Sequence, residues 1–195
     1  MQTLIAKKIA LAIFVLAGFA DSALATSNTS HMRVIGYTKQ PIGHYDYCKQ
    51  YRHDCQILSK NRDAIKMSNE LWNDLVKINS YTNEKIQPMT DWEAFNSEEV
   101  WQYPTSVGDC EDYVLLKRYM LMRRGWPASS LLITVVRQEN GEAHAVLTVR
   151  TNEADYILDN MTDEILPWNE TPYVYLKRQS TKHSGRWSDI ADARR

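Results

Sequence analysis

Three residues of this chain have the types and the order that a cysteine nucleophile requires. Cys110 lies in the string GDCEDY at positions 108–113, and His144 and Asp159 follow on segments of strand-like composition. The thiolate is the reactive form of cysteine, a neighbouring imidazole accepts the thiol proton, and a carboxylate orients that imidazole. Each residue alone is compatible with a structural role, but the ordered set predicts nucleophilic catalysis by Cys110, with His144 as base and Asp159 as the orienting acid.

Three carboxylates adjoin the predicted nucleophile, namely Asp109, Glu111 and Asp112. Anions close to a thiol raise its pKa and oppose formation of the thiolate. A hard cation such as Ca²⁺, which takes roughly six to eight oxygen ligands, would offset this effect, so the three acids are candidate calcium ligands. The same positions also suit a helix start, where Asp109 and Asp112 cap the backbone and Glu111 complements the helix dipole. The residues by themselves leave both interpretations open.

The segment 110–124 has the pattern of a helix that begins at the thiol. Asp109 is placed as its N-cap, and Arg123-Arg124-Gly125 followed by Pro127 is a typical C-terminal stop. Cys110 then lies in the first turn, where unpaired backbone N–H groups and the positive end of the helix dipole favour an anion. We therefore expect the helix start to lower the pKa of this thiol.

The residues that carry His144 and Asp159 read as consecutive strands at 131–136, 144–149 and 156–159. In an antiparallel meander, neighbouring strands run in opposite senses, which brings His144 at the start of one strand close to Asp159 at the end of the next. With a further strand at 172–178, the prediction is an α+β fold in which the nucleophile, at a helix N-terminus, packs on an antiparallel β-sheet.

The other segments are predicted with less regular structure. The apolar spacing over 59–84 indicates a core helix, residues 26–56 appear irregular in pattern, and the Trp-bearing stretch 88–105 is expected to be an ordered loop near the site. Residues from Gln179 onward are polar and are expected to be weakly ordered.

The N-terminal 25 residues have the features of a secretion signal. Lys7 and Lys8 precede an apolar run, and Ala23-Leu24-Ala25 is a small-x-small cleavage pattern. We expect cleavage after Ala25, one domain at 26–178, a polar tail at 179–195 and a periplasmic location; an uncleaved N-terminal anchor is the alternative. The formal net charge of −1, without a run of basic residues, argues against a nucleic-acid partner.

The three cysteines of the chain are an odd number, so an oxidising compartment leaves at least one thiol unpaired. Cys48 and Cys55 are separated by a spacing that closes a small disulfide loop, which would leave Cys110 free. The competing interpretation is a metal site at Cys48, His53 and Cys55, although no second Cys or His pair complements it.

Several of these strings together resemble a known family. The GDCEDY string, Gly-Trp-Pro at 125–127, His144 before an apolar strand and Leu-Asp-Asn at 158–160 are similar to the bacterial transglutaminase-like cysteine proteinases, and among them to the LapG-type periplasmic proteases. The resemblance runs over 45–176 and implies a papain/transglutaminase-like architecture and calcium dependence. It further implies cleavage of the N-terminal region of a large cell-surface adhesin, with release from biofilm. It also implies an inner-membrane cyclic di-GMP receptor that sequesters the protease.

The reaction expected from these residues is peptide-bond hydrolysis, with the oxyanion bound by the Cys110 backbone N–H and one further donor. Gln102 and Trp101 are the candidates for that second donor, by analogy with papain-like and transglutaminase-like sites respectively. Two other functions fit the same residues. One is acyl transfer to an amine, and the other is a non-catalytic module that binds a peptide or a receptor.

Overall fold

The structure is a computed structural model that describes residues 29–194, so the expected signal segment 1–25 lies outside the described residues. The helices are α1 (Ile42–Gln50), α2 (Asn69–Lys85), α3 (Asp91–Phe95) and α4 (Cys110–Arg123), and the strands are β1 (Val34–Thr38), β2 (Gln87–Pro88), β3 (Val107–Gly108), β4 (Leu131–Arg137), β5 (Ala143–Arg150), β6 (Asp155–Leu158), β7 (Leu166–Pro167), β8 (Val174–Ser180) and β9 (His183–Ile190). None of the helices within this range combines the length and the apolar character needed to cross a bilayer.

Seven of the strands form one sheet in the order β1-β9-β8-β4-β5-β6-β7, and every pair of neighbours in it is antiparallel. The predicted meander is confirmed as β4, β5 and β6. Leu147 of β5 lies opposite Leu158 of β6, and this register places the start of β5 beside the end of β6. The short strands β2 and β3 form a separate parallel pair, and β3 directly precedes α4 in the chain.

The main core lies between one face of the sheet and the helices α4 and α2. Leu115 and Leu121 of α4, Leu75 of α2 and Leu131 and Leu147 of the sheet are almost fully buried there. Burying a leucine side chain contributes about 1.5–3 kcal/mol, so this layer holds α4, and with it the residue at its start, firmly against β5. The predicted α+β fold is confirmed.

Several segments differ from the sequence-based prediction. The helix expected from residue 59 begins at Asn69, where the Ser68 hydroxyl accepts a hydrogen bond from Leu71 N at 3.3 Å. The stretch 26–56, expected to be irregular, contains β1 and α1. The sequence pattern did not reveal α1, because this helix is short and only weakly amphipathic. The predicted disulfide between Cys48 and Cys55 is present at its end.

The prediction of a weakly ordered tail from Gln179 onward is wrong. These residues complete β8 and form β9, which lies inside the sheet between β1 and β8. Trp187 is buried at its centre, and Ser184 and Ser188 are buried with it. The buried residues of β9 are two serines, Trp187 and Ile190, so the strand has too few apolar side chains for an alternating pattern to stand out in the sequence. The domain therefore extends at least to Ile190.

Candidate active site

The three predicted catalytic residues come from neighbouring elements of the fold. Cys110 is the first residue of α4, His144 is the second residue of β5, and Asp159 directly follows β6. His144 Nε2 lies 2.8 Å from Asp159 Oδ1, and both side chains are buried. Cys110 is half-buried, and its side chain and that of His144 line one cavity. Because Nε2 is engaged by Asp159, Nδ1 is the ring nitrogen left to exchange a proton in that cavity.

Two residues that the sequence did not single out hold Asp159 in place. Tyr173 Oη donates to Asp159 Oδ2 at 2.5 Å, and Asn83 Nδ2 of α2 donates to the Asp159 backbone carbonyl at 2.9 Å. Burial alone would raise the pKa of Asp159, but the hydrogen bonds from His144, Tyr173 and Met161 N lower it overall. The carboxylate therefore stays ionised beside the imidazole. Nothing in the local sequence distinguished Tyr173 or Asn83, since one lies just before a strand and the other on an ordinary helix.

The thiol has acidic and backbone neighbours. Cys110 Sγ donates to Glu111 Oε2 at 3.2 Å and accepts from Ala145 N at 3.4 Å. Burial and the Glu111 carboxylate raise the pKa of the Cys110 thiol well above its usual value. The expected lowering of this pKa by the helix start is therefore wrong for the protein without a cation. Desolvation and a carboxylate in direct contact outweigh the partial charge of the helix end.

The three acids around Cys110 are joined by a fourth acid, Asp91 of α3, in one largely buried cluster. One carboxylate oxygen from each of Asp91, Asp109 and Glu111 lies within 4.8 Å of the others, and Asp112 adjoins them in α4. Asp91 is a third residue that the sequence analysis did not identify, after Tyr173 and Asn83. It reaches the cluster from α3, where its Oδ2 also accepts a hydrogen bond from the backbone of Val100. Its only local signal was the Thr90–Glu93 capping box that starts this short helix.

Burial and mutual repulsion perturb the acids of this cluster. Burial, together with the Asp91 carboxylate, raises the pKa of Asp109 to about 6. Burial and the Asp109 carboxylate raise the pKa of Glu111 to about 9, and burial raises that of Asp112 to about 8. Without a compensating positive charge, Glu111 and Asp112 therefore hold protons at neutral pH that free carboxylates would release, whereas Asp109 releases its proton only near pH 6.

The predicted capping role of Asp109 is only partly present. Asp109 does occupy the N-cap position of α4, but its side chain makes no capping hydrogen bond, and its Oδ1 is buried without a partner among the described residues. Asp112 Oδ1 accepts from Gln102 N at 2.9 Å, whereas its Oδ2 is likewise unpartnered. Gly108 makes room for this arrangement, because a Cβ there would lie 2.8 Å from Asp112 Oδ2.

Orphaned buried oxygens in an all-carboxylate cluster are suited to a hard cation. The donor set of Asp91, Asp109 and Glu111, with Asp112 beside it, offers only oxygen, which is the ligand type that Ca²⁺ prefers. The alternative metal site at Cys48, His53 and Cys55 is wrong, because the two sulfurs are joined in the disulfide and cannot act as thiolate ligands.

The structure distinguishes the two candidate oxyanion donors by position. Trp101 lines the cavity of Cys110, and its Nε1 lies 3.2 Å from Glu99 Oε2. Gln102 is not among the residues that line this cavity, and its backbone serves Asp112 instead. Gly43 of α1 packs on the indole so closely that a Cβ would lie 2.4 Å from it. As the first residue of α4, Cys110 also has a backbone N–H without a helical acceptor.

A thiol at a helix start that shares a cavity with an imidazole–carboxylate pair carried by an antiparallel sheet defines the papain/transglutaminase-like class of cysteine hydrolase folds. The sequence model of the bacterial transglutaminase-like cysteine proteinases (BTLCP) matches residues 34–195, and the chain belongs to this family. No curated protein sequence matches it.

Solved structures of LapG from Legionella pneumophila are similar to the chain. One has a TM-score of 0.52 and 27% identity, over 64% of this chain and 71% of LapG. EGTA-treated LapG has a TM-score of 0.51 and 26% identity, over 64% and 73%. Calcium-bound LapG has a TM-score of 0.50 and 26% identity, over 55% and 64%, so this match spans slightly less than two thirds of that protein.

Proposed function

We propose that this protein is a periplasmic cysteine endopeptidase. The observation that carries the proposal is the shared cavity of Cys110 and His144, with the imidazole held at 2.8 Å by the buried Asp159. Membership of a cysteine proteinase family supports the same reaction. A buried, oriented imidazole that shares a cavity with a thiol outside any disulfide has the arrangement that nucleophilic catalysis needs.

In the proposed mechanism, His144 Nδ1 takes the thiol proton while Cys110 Sγ attacks the carbonyl carbon of the scissile peptide bond. Asp159 remains ionised and stabilises the imidazolium, and Tyr173 holds the second carboxylate oxygen. The Cys110 backbone N–H and the indole N–H of Trp101 bind the oxyanion, for which Trp101 must turn from Glu99 toward the substrate. The imidazolium then protonates the leaving amine, and water, deprotonated by His144, hydrolyses the acyl-enzyme.

We propose that the acid cluster binds Ca²⁺, with Asp91, Asp109, Glu111 and Asp112 as the residues that would hold it. A bound calcium ion supplies positive charge that balances these carboxylates and favours the thiolate. The solved LapG structures include a calcium-bound and an EGTA-treated form, which supports calcium as the ion. Withdrawal of Glu111 from its hydrogen bond with Cys110 Sγ would also leave the thiol free to give its proton to His144.

The substrate proposed from the resemblance to LapG-type proteases is the N-terminal region of a large cell-surface adhesin, whose cleavage releases cells from biofilm. An inner-membrane receptor for cyclic di-GMP that sequesters the protease is the partner proposed on the same basis. Both proposals place the mature protein in the periplasm, in agreement with the signal-like residues 1–25.

The test is to incubate the mature chain with N-terminal adhesin fragments, with calcium and with a chelator. Cys110→Ala should abolish cleavage, and Asp159→Asn should reduce it strongly while leaving the fold intact. Mass spectrometry of the products distinguishes hydrolysis from acyl transfer, because an added amine would become attached to the fragment. Cleavage that persists in Cys110→Ala would exclude the mechanism, and activity that is indifferent to chelation would exclude the role of calcium.

A further inference from the structure

The cavity that contains Cys110 shares the lining residue Ile42 with a larger cavity. The first, of about 310 Å³, is bounded by Pro41 and Ile42 at one end. The second, of about 680 Å³, begins at the same Ile42 and extends to the edge strand β1. We call this second cavity the β1 trough; the lining residues that matter here are Tyr37, Lys39, Ile42, Tyr45, Arg186 and Trp187. A volume of this size is in the range of ligand-binding clefts.

Strand pairing and one hydrogen bond connect residues of the two cavities across the sheet. Ala145, whose N–H contacts the Cys110 sulfur, lies opposite Val135 of β4, and Val135 lies opposite Lys177 of β8. Val135 and Lys177 both line the first cavity, and Lys177 Nζ donates to the Lys39 carbonyl of the β1 trough at 3.0 Å. This row of contacts leads from the residue beside the thiol across β4 and β8 to Lys39, directly after β1.

The chemistry of the β1 trough fits a polypeptide with apolar and acidic side chains. Tyr37 and Ile42 are each 64% exposed and Tyr45 is 49% exposed, which is unusual for large apolar side chains grouped on one surface. The lining residues include the basic Lys39 and Arg186 and contain no carboxylate. β1 is also an edge strand, so the backbone groups along its outer side face no other strand of the sheet.

We propose that the β1 trough binds the substrate polypeptide beyond the scissile bond, with an apolar side chain at Ile42 and an acidic side chain at Lys39 and Arg186. This inference rests on the proposed protease function. Neighbouring strands lie about 4.8 Å apart, so Arg186 on β9 is about 14 Å from the His144 strand and β1 about 19 Å. An extended chain rises about 3.3 Å per residue, which places the acidic residue about four to six positions from the scissile bond.

Peptide binding to Cys110→Ala tests the proposal independently of catalysis. The probes are two fluorescent peptides with the same aliphatic centre, one flanked by Asp and Glu and the other by Lys and Arg. We expect the acidic peptide to bind more tightly. Arg186→Glu should weaken its binding about five- to tenfold and strengthen binding of the basic peptide. Lys77→Glu on the exposed side of α2 is the matched charge reversal outside the trough. The proposal is overturned if both reversals have equal effects, or if the two peptides bind wild-type and variant proteins alike.

A second experiment measures cleavage specificity. The wild-type protein digests a denatured protein mixture in calcium, and mass spectrometry identifies the cleaved bonds. Acidic residues should be enriched about four to six positions from the cleaved bond on one side, and Arg186→Glu should reverse this enrichment. Ile42→Asn should raise KM about fivefold. Absence of cleavage with intact, Arg186-dependent peptide binding would overturn the protease function and not the trough. Cleavage without any acidic preference would overturn the trough and not the protease.

Discussion

Asp112→Asn should change the stability of this protein in opposite directions without and with calcium. Asp112 is fully buried; its Oδ1 accepts from Gln102 N, and its Oδ2 has no partner among the described residues. Burial raises the pKa of Asp112 to about 8 from an ordinary value of 3.8. Asparagine has nearly the same shape and keeps an acceptor for Gln102 N, but it does not ionise. The substitution therefore removes a carboxylate that is costly to ionise without a cation and useful with one.

The sign of the effect follows from proton binding. Between about pH 4 and pH 8 the unfolded chain has released the Asp112 proton and the folded protein retains it, so stability falls as the pH rises. The stabilisation that the folded protein gains by retaining the Asp112 proton is fully present below about pH 4 and is lost as the pH rises through the folded-state pKa. Each pH unit in this window costs about 1.4 kcal/mol, or about 3 kcal/mol between pH 5 and pH 7.5. That is a large part of the ~5–15 kcal/mol that stabilises a typical domain.

Urea unfolding at pH 5 and pH 7.5, with a chelator and with calcium, measures both effects. In chelator, the free energy of unfolding of Asp112→Asn should fall less steeply with rising pH than that of wild type. The difference between the two slopes should correspond to about one bound proton per molecule. In calcium, wild type should gain more stability than the variant, because the ion binds the folded state through one more carboxylate. Asp46→Asn, an exposed acid paired with Lys49, is the control and should change neither slope. Equal pH slopes in chelator, or equal gains from calcium, would refute the reasoning.

Three further outcomes are expected. Iodoacetamide should alkylate Cys110 slowly at neutral pH in chelator, because the pKa of the thiol is raised, and at least tenfold faster in calcium; equal rates would contradict the cluster's effect on the sulfur. Lys117→Met should stabilise the protein by about 4–5 kcal/mol at pH 6, with the difference fading by pH 10. Burial lowers the pKa of Lys117 to about 7, and its Nζ makes no hydrogen bond among the described residues; thermal unfolding across this range checks the trend. Tyr173→Phe should lower kcat about tenfold at nearly constant KM, because Asp159 loses a hydrogen bond at 2.5 Å; an unchanged kcat would remove Tyr173 from the positioning of the pair.

Those parts of the site that depend on neighbours in sequence could be predicted without coordinates. Cys110 begins α4 because a capping position and a clear C-terminal stop delimit that helix. His144 meets Asp159 because β5 and β6 are consecutive antiparallel strands, for which a short turn determines the pairing. The same locality made the disulfide between Cys48 and Cys55 predictable from spacing.

What the sequence determined by itself was therefore the identity of the thiol, the imidazole and the carboxylate, and the local elements that carry them. Only the tertiary structure brought Asp91 from α3 into the acid cluster, placed Tyr173 against Asp159, and placed the polar strand β9 inside the sheet. The tertiary structure also decided whether the pKa of the Cys110 thiol is raised or lowered. The helix start alone would lower this pKa, whereas burial beside Glu111 raises it. The physical reason is that periodicity and spacing describe short-range geometry, whereas desolvation and contacts between distant segments arise only when the chain packs.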